Sequence, residues 1–484
     1  MMRATSLPAL IWATLAVGAC ADAHMRTPDV RLPAAFEAPA GAADPTMAAA
    51  TLDRWWSLFP DPQLQALIDQ ALANAPDART AQARLEEAVA VRRGRLAGLL
   101  PQGDLQGSAT EQHTERSGDV FTGGGAGGFN NSGDTQTLSA NLNLSWELDL
   151  FGRLAQGRRY ANADYAAARF GVEASRMSLA AQVAQSLFQA RALAVQRADA
   201  GETARIAGEL ARVGRIRAER GLGPQADAAR FQSNLDTAQS EIIRIDAALA
   251  VAKRTLLVLL GRGADPLDSL TVEARADAPP RVPASTPGDL LARRPDVRQA
   301  QARLQVETAS VALSRLALFP TFTLQPGASL SRSFGATDSS TSVWSIGVGA
   351  VVPLLDRPRL LAELGAEKAR GEQAVIAYEK AVQTAYGEAA NALTTLQADQ
   401  DRLVRLESAD TQARFAFDAA NRGYQAGLSD MTALLDAERT WRAARTALNG
   451  LRAQALQDAV AAFKALGGGW TSTPLQTANA DRTR

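Results

Sequence analysis

The chain has 484 residues with 51 basic and 51 acidic side chains, a balance that gives no electrostatic reason to expect nucleic acid as a partner. Aromatic residues make up 5% and there is one cysteine, so an intrachain disulfide is excluded. The prevalence of Ala, Arg, Gln, Glu and Leu suits long, closely packed helices better than a mixed globular core.

Residues 1–19 read as a signal peptide. Arg3 supplies the positive start, Leu7 to Val17 the apolar run, and Val17-Gly18-Ala19-Cys20 the small-residue cleavage site. The stretch resembles a bacterial lipobox, which implies that Cys20 carries lipid; the bland alternative is a chance cysteine in a discarded leader. With Ala21 next, the resemblance implies sorting to the outer membrane. Acyl chains on one residue can hold a protein at a bilayer without a spanning helix. Residues 20–50, rich in Ala, Pro and Gly, read as a lipidated N-terminal linker.

Folded structure is expected from Trp55-Trp56 onward. Phe59-Pro60-Asp61-Pro62 is a turn and helix start, and helices follow over about 63–75 and 77–99, the second ending at Pro101. A weak strand is expected over about 103–121, then a flexible loop around the glycine run 123–128, then a clear strand over about 135–150. In that strand Leu138, Ala140, Leu142, Leu144, Trp146, Leu148 and Leu150 alternate with Thr137, Ser139, Asn141, Asn143, Ser145, Glu147 and Asp149. Side chains of a strand point alternately to its two faces, so one face is apolar and the other polar. The face with Trp146 is expected to meet lipid and the face with Asn141 and Asn143 to line a pore.

From Leu154 to about Glu219 there is no proline, and the spacing predicts one helix of roughly 65 residues, roughly 100 Å long. Gly221-Leu222-Gly223-Pro224 turns the chain, and a return helix runs to about Leu260. Residues 264–288 read as a Pro-rich connecting segment. The second half repeats the plan: a helix from Pro295-Asp296 to Pro320, strands over about 321–334 and 342–354, a helix over about 360–425, a turn at Gly427-Leu428, and a helix to about 466. The chain thus reads as two repeats of helix, β-hairpin and helix, over 51–263 and 289–470, with a flexible tail over 471–484. No apolar run approaches the ~20 residues of a spanning helix, so any membrane crossing is by strands. Four strands cannot close a barrel, and open edges in lipid are costly, so copies of the chain must associate; eight strands from two copies and twelve from three are both open on this ground.

Several stretches resemble the outer-membrane factor family, the TolC/OprM-like efflux lipoproteins of tripartite RND-type systems, in its NodT subfamily. They are Trp146 through Arg153, Leu291-Ala292-Arg293-Arg294-Pro295-Asp296-Val297, Ala317-Leu318-Phe319-Pro320, Leu434-Leu435-Asp436-Ala437-Glu438-Arg439, and Ala465-Leu466-Gly467-Gly468-Gly469-Trp470, in that order after Trp55-Trp56. One departure is Leu354-Leu355-Asp356-Arg357-Pro358-Arg359, where the family usually has glycines after the Asp. The resemblance implies a mixed α and β membrane protein: a homotrimer with a 12-stranded outer-membrane β-barrel continuous with a long periplasmic α-helical barrel. It implies the exit duct of a tripartite drug or small-molecule efflux pump, reached through a periplasmic adaptor and an inner-membrane transporter. Other readings are the exit duct of a type I protein secretion system and a lipid-anchored coiled-coil scaffold without a pore; alternating strands argue against the scaffold.

The resemblance places function at the helix-hairpin turns. Gly221 and Gly427 suit tight reversals, and with Leu222 and Leu428 they are expected at tips that meet the adaptor. Thr432 and Asp436, four residues apart, share a helix face and in a trimer would form rings of three at a periplasmic gate. Arg439 is placed to pair with Asp436 in a closed state, and Asp227 is a weaker candidate. No enzyme, cofactor or metal site is expected: His24 and His113 lack ligand spacing, and the glycine run joins strands, whereas a phosphate loop leads into a helix.

Overall fold

The computed structural model describes residues 25–37, 43–44, 49–115, 133–275, 277–283, 285–335 and 338–470. Cys20, His24, the glycine run 123–128 and the tail 471–484 lie outside the described residues. The chain divides into two compact units, each built from both halves of the sequence. One comprises Met1–Pro28, Glu87–Ala166 and Ala302–Ile376; the other comprises Asp29–Glu86, Ala167–Gln301 and Ala377–Arg484. Division by repeat and division by packing therefore differ, because each repeat sends its strands to one unit and its helix hairpin to the other.

In chain order the elements are β1 (Ala43–Asp44), α1 (Pro62–Asn74), α2 (Pro76–Ala97), β2 (Gln102–Thr114), β3 (Gly133–Leu148), α3 (Arg153–Glu219), α4 (Gln225–Leu259), β4 (Val282–Pro283), α5 (Pro287–Arg293), α6 (Pro295–Leu316), β5 (Thr321–Phe334), β6 (Ser339–Val351), α7 (Arg357–Gln425) and α8 (Met431–Ala465). The duplication is plain in their lengths: α2 and α6 have 22 residues each, α4 and α8 35 each, α3 67 and α7 69. No helix among the described residues is long and apolar enough to cross a membrane.

The first unit holds a four-stranded antiparallel sheet in the order β2-β3-β5-β6. Its registers carry the alternation read in β3 across all four strands. Leu105, Leu142, Ala328 and Trp344 form one row, and Trp146, Leu324 and Val348 another on the same face. Rows on the opposite face read Ser108, Ser139, Ser331, Thr341 and Gln106, Asn141, Ser329, Val343. Ser108 and Ser139 hydroxyls lie 2.8 Å apart. Trp344 is 82% exposed within the chain, so nothing in the molecule itself covers the apolar face.

Strand limits differ from the sequence expectation at the ends. β2 stops at Thr114, and 116–121 lie outside the described residues. β3 ends at Leu148 because Leu150 N–H turns back to Leu148 C=O at 2.9 Å. β6 ends at Val351 rather than Leu354: Pro353 has no N–H to donate.

The second unit is knitted by aromatic rings. Trp55 stacks on Phe463 with centroids 5.5 Å apart, Phe59 packs on both, and all three are buried. The Trp470 indole donates to Arg293 C=O at 2.7 Å. Arg293 in turn pairs with Asp53 at 2.5 Å, and Arg294 with Asp296 and Glu388, both at 2.6 Å. The LARRPDV stretch is thus a structural clasp. Residues 264–288 are no free linker: Leu270 and Val282 enter the core, and β4 pairs in parallel with β1. The short helix α5, missed in the sequence, starts there, where Asp289 accepts from Thr286 N–H at 2.8 Å. Asp61 caps α1 through Gln63 and Leu64 N–H (both 3.1 Å) and makes a buried ion pair with Arg191. Burial would raise its carboxyl, but Arg191 and the Leu64 N–H outweigh that and hold it below the usual range.

Candidate functional site

The two hairpin turns are built alike. Leu222 N–H reaches Arg217 C=O at 2.8 Å and Gly221 N–H reaches Ala218 C=O at 3.1 Å; Leu428 to Gly423 (2.8 Å) and Gly427 to Tyr424 (3.1 Å) repeat the pattern. These 6→1 and 5→2 bonds satisfy the last carbonyls of α3 and α7 and need a left-handed residue, which Gly221 (φ +67°) and Gly427 (φ +72°) supply. The next residue is then pushed outward: Leu222 is 66% exposed and Leu428 85%. The two tips thus each hold one large apolar side chain in water at matching positions.

Thr432, Asp436 and Arg439 lie in the opening turns of α8, and all three are exposed. Asp430 caps this helix by accepting from Ala433 N–H at 2.8 Å. Among the described residues neither Asp436 nor Arg439 makes an ion pair within 4.0 Å in the single chain. The hairpins superpose in sequence at an offset of 206 (Leu428 minus Leu222), which puts Arg230 opposite Asp436 and Ala433 opposite Asp227. The acid at this level is therefore present once per chain.

Sequence reasoning missed the polar contacts that join the two hairpins. Arg217 Nη1 donates to the Tyr424 hydroxyl at 3.0 Å, one turn behind both tips. Farther along, Asp199 of α3 accepts from Arg445 (2.8 Å) and Asn449 (2.5 Å) of α8, and Gln457 donates to Gln189 at 3.0 Å. Each partner is one of many polar residues on an Ala-rich helix, and a single sequence carries no signal that pairs residues about 250 apart. A cleft lined by Asp199, Glu241, Trp441, Arg442 and Arg445 lies beside these bonds. Another missed group is Asp399, buried in α7: its Oδ2 has no donor, the Asp458 carboxylate of α8 lies beside it, and burial followed by that neighbour pushes it up to about 6. Among the described residues no three His, Cys, Asp or Glu side chains converge as a metal site.

A sheet with one apolar face and two unpaired edges, on a chain otherwise made of paired helices up to 69 residues long, defines a subunit of an oligomeric membrane duct. A family profile described as outer membrane efflux protein matches residues 67–262 and 286–468, and the chain belongs to that family. Among its relatives, the pyoverdine export outer membrane protein OpmQ of Pseudomonas aeruginosa is 30% identical over 427 residues, 88% of this chain and 89% of the relative. The probable efflux pump outer membrane protein TtgC of Pseudomonas putida is 30% identical over 452 residues, 92% and 91% of the two chains. Among solved structures, the outer-membrane channel OprN superposes with a TM-score of 0.79 at 27% identity, covering 93% of this chain and all of the other. The outer membrane protein VceC of Vibrio cholerae gives 0.75 at 26%, covering 87% and 99%. The chain is an outer-membrane efflux channel, in which three copies supply the twelve strands of a barrel.

Proposed function

We propose that this channel is the passive exit duct of a tripartite small-molecule efflux pump, gated at the helix-hairpin tips by Asp436 and docked there by a periplasmic adaptor through Leu222 and Leu428. An inner-membrane transporter, engaged through the adaptor, supplies the energy. The observation that carries this reading is Asp436 itself: an exposed carboxylate without an ion partner, less than three turns of helix from a turn whose apolar residue points into solvent. Three copies bring three carboxylates to one level. Like charges repel, so the ring narrows the duct only when compensated, and Arg439 on the next turn is the compensating charge. Thr432, one turn nearer the tip, adds a neutral ring of hydroxyls.

In planar bilayers, Asp436→Ala and Arg439→Ala should each raise single-channel conductance above that of the parent. Asp436→Ala should in addition reduce preference for cations. Unchanged conductance in both variants removes Asp436 from the gate.

The same proposal includes a lipid anchor at Cys20. Residues 25–37 support it by the direction they take. Met25 lies over Gly371 and Arg26 pairs with Glu372 at 3.0 Å, near the membrane-side end of α7. Glu372 is 15 residues from Arg357, about 22 Å along the helix, and the five residues between Met25 and Cys20 can span at most about 17 Å. Cells fed labelled palmitate should yield labelled protein, and Cys20→Ser should abolish the label. Equal labelling of both rules out the anchor.

A further inference from the structure

The duplication assigns a partner to the most exposed large apolar side chain among the described residues. Leu355 is 96% exposed in the turn between β6 and α7. The matching turn of the first repeat, between β3 and α3, has the same hydrogen bonds. Leu150 N–H to Leu148 C=O (2.9 Å) corresponds to Leu354 N–H to Val352 C=O (3.0 Å), and Gln156 to Gly152 (3.0 Å) corresponds to Leu360 to Asp356 (3.0 Å). Leu355 therefore stands where Phe151 stands. Phe151 is partly covered within its own chain, at 43% exposure: its ring lies 5.2 Å from Phe319 and 6.4 Å from Phe322, where β3 runs beside β5.

The structural equivalent of Phe319 is Leu100. Both close the turn after a 22-residue helix and before Pro, with Phe319 N–H on Leu316 C=O (3.1 Å) and Leu100 N–H on Ala97 C=O (3.0 Å). Leu100 is 63% exposed. It precedes β2, one open edge of the sheet, as Leu355 follows β6, the other open edge. Closing the barrel sets β6 of one copy beside β2 of the next, which repeats the relation of β3 to β5. That step brings Leu355 onto Leu100 of the next copy.

We infer that Leu355 and Leu100 form an apolar lock between neighbouring subunits, at the level where strands become helices. It rests on the trimeric barrel and adds a specific contact to it. An exposed Leu in this turn is explained by an aliphatic partner rather than by solvent.

The test uses the full-length assembly in detergent. Leu355→Cys and Leu100→Cys are made singly and together and treated with a short flexible bis-maleimide, since side chains in contact can have backbones too far apart for a disulfide. The double variant should give covalent dimers and trimers on denaturing gels; the singles and the parent, which has only Cys20, should give none. Leu355→Glu should dissociate at lower detergent or temperature than Leu355→Phe, with the mass of the assembly measured alongside. A trimeric mass with no cross-linked product overturns the lock and leaves the barrel intact. An assembly that is not a trimer overturns both. Free labelling of Leu355→Cys by a water-soluble maleimide in the intact trimer, or quenching of its attached fluorophore by brominated lipid, also overturns the lock.

Discussion

Asp399 is the residue whose chemistry departs most from its surroundings. It is buried, its Oδ1 accepts from Arg402 at 3.2 Å, and the Asp458 carboxylate beside it raises its proton affinity further. Folded, it titrates at about 6; its ordinary value is 3.8. Between those values the folded chain binds the extra proton, so the stabilisation of this contact is full below about 3.8 and is lost as pH rises through about 6. Asp399→Asn mimics the protonated form at every pH. At pH 7 it should raise the thermal midpoint, by the equivalent of about 1–2 kcal/mol, and at about pH 3.5, where the carboxyl is largely protonated folded and unfolded alike, change it little. Thermal unfolding of the solubilised protein at both pH values checks this; an equal effect at both means that the proton is not held here. Asp61 shows the opposite arrangement, a buried carboxylate kept charged by Arg191 and by the helix it caps.

At the scale of elements, the turn glycines separate conformation from recognition. A Cβ added at Gly221 or Gly427 would meet nothing within 4 Å, so any cost of Ala there comes from the left-handed backbone alone, about 1–2 kcal/mol. Gly427→Ala should therefore loosen the tip, raising amide exchange over residues 424–430 about tenfold or more. Leu428→Asp should leave exchange unchanged and weaken adaptor binding. If Leu428→Asp binds adaptor as the parent does, the tip is not the docking surface. Both turns were legible in the sequence, because a Gly-Leu-Gly-Pro stretch and a Gly-Leu pair each interrupt a long proline-free helix. So were the strands, since period-two alternation over 14 residues has no helical reading. The polar contacts Arg217–Tyr424 and Asp199–Arg445 were not legible, because they join surfaces whose apposition is fixed by packing and leaves no periodic trace. Nor was α5 legible, being seven residues long and too short for a 3.6-residue pattern to declare itself.

At the scale of the whole molecule, the sheet is the part that makes no sense in one copy. Its apolar face, with Trp344 and Ile346 bare, needs lipid, and its two edges need neighbours. The internal repeat supplies half of the solution, since β3 and β5 join the two hairpins within the chain as successive copies must join at β6 and β2. Facing follows from this and can be tested by one substitution on each side. Trp344 and Ala328 share an apolar row, whereas Asn141 and Ser329 share a polar one. Trp344→Arg places a charge against hydrocarbon and should cost about 2–4 kcal/mol, seen as poor assembly in the outer membrane and a trimer that dissociates at lower temperature. Asn141→Arg faces the wet interior in three copies. It should assemble normally and instead shift ion selectivity toward anions, because three added positive charges ring a confined aqueous path. If Asn141→Arg fails to assemble while Trp344→Arg assembles and alters selectivity, the two faces are reversed. The same pair also separates a duct from a scaffold, since a sheet without a lumen gives Asn141→Arg no current to change.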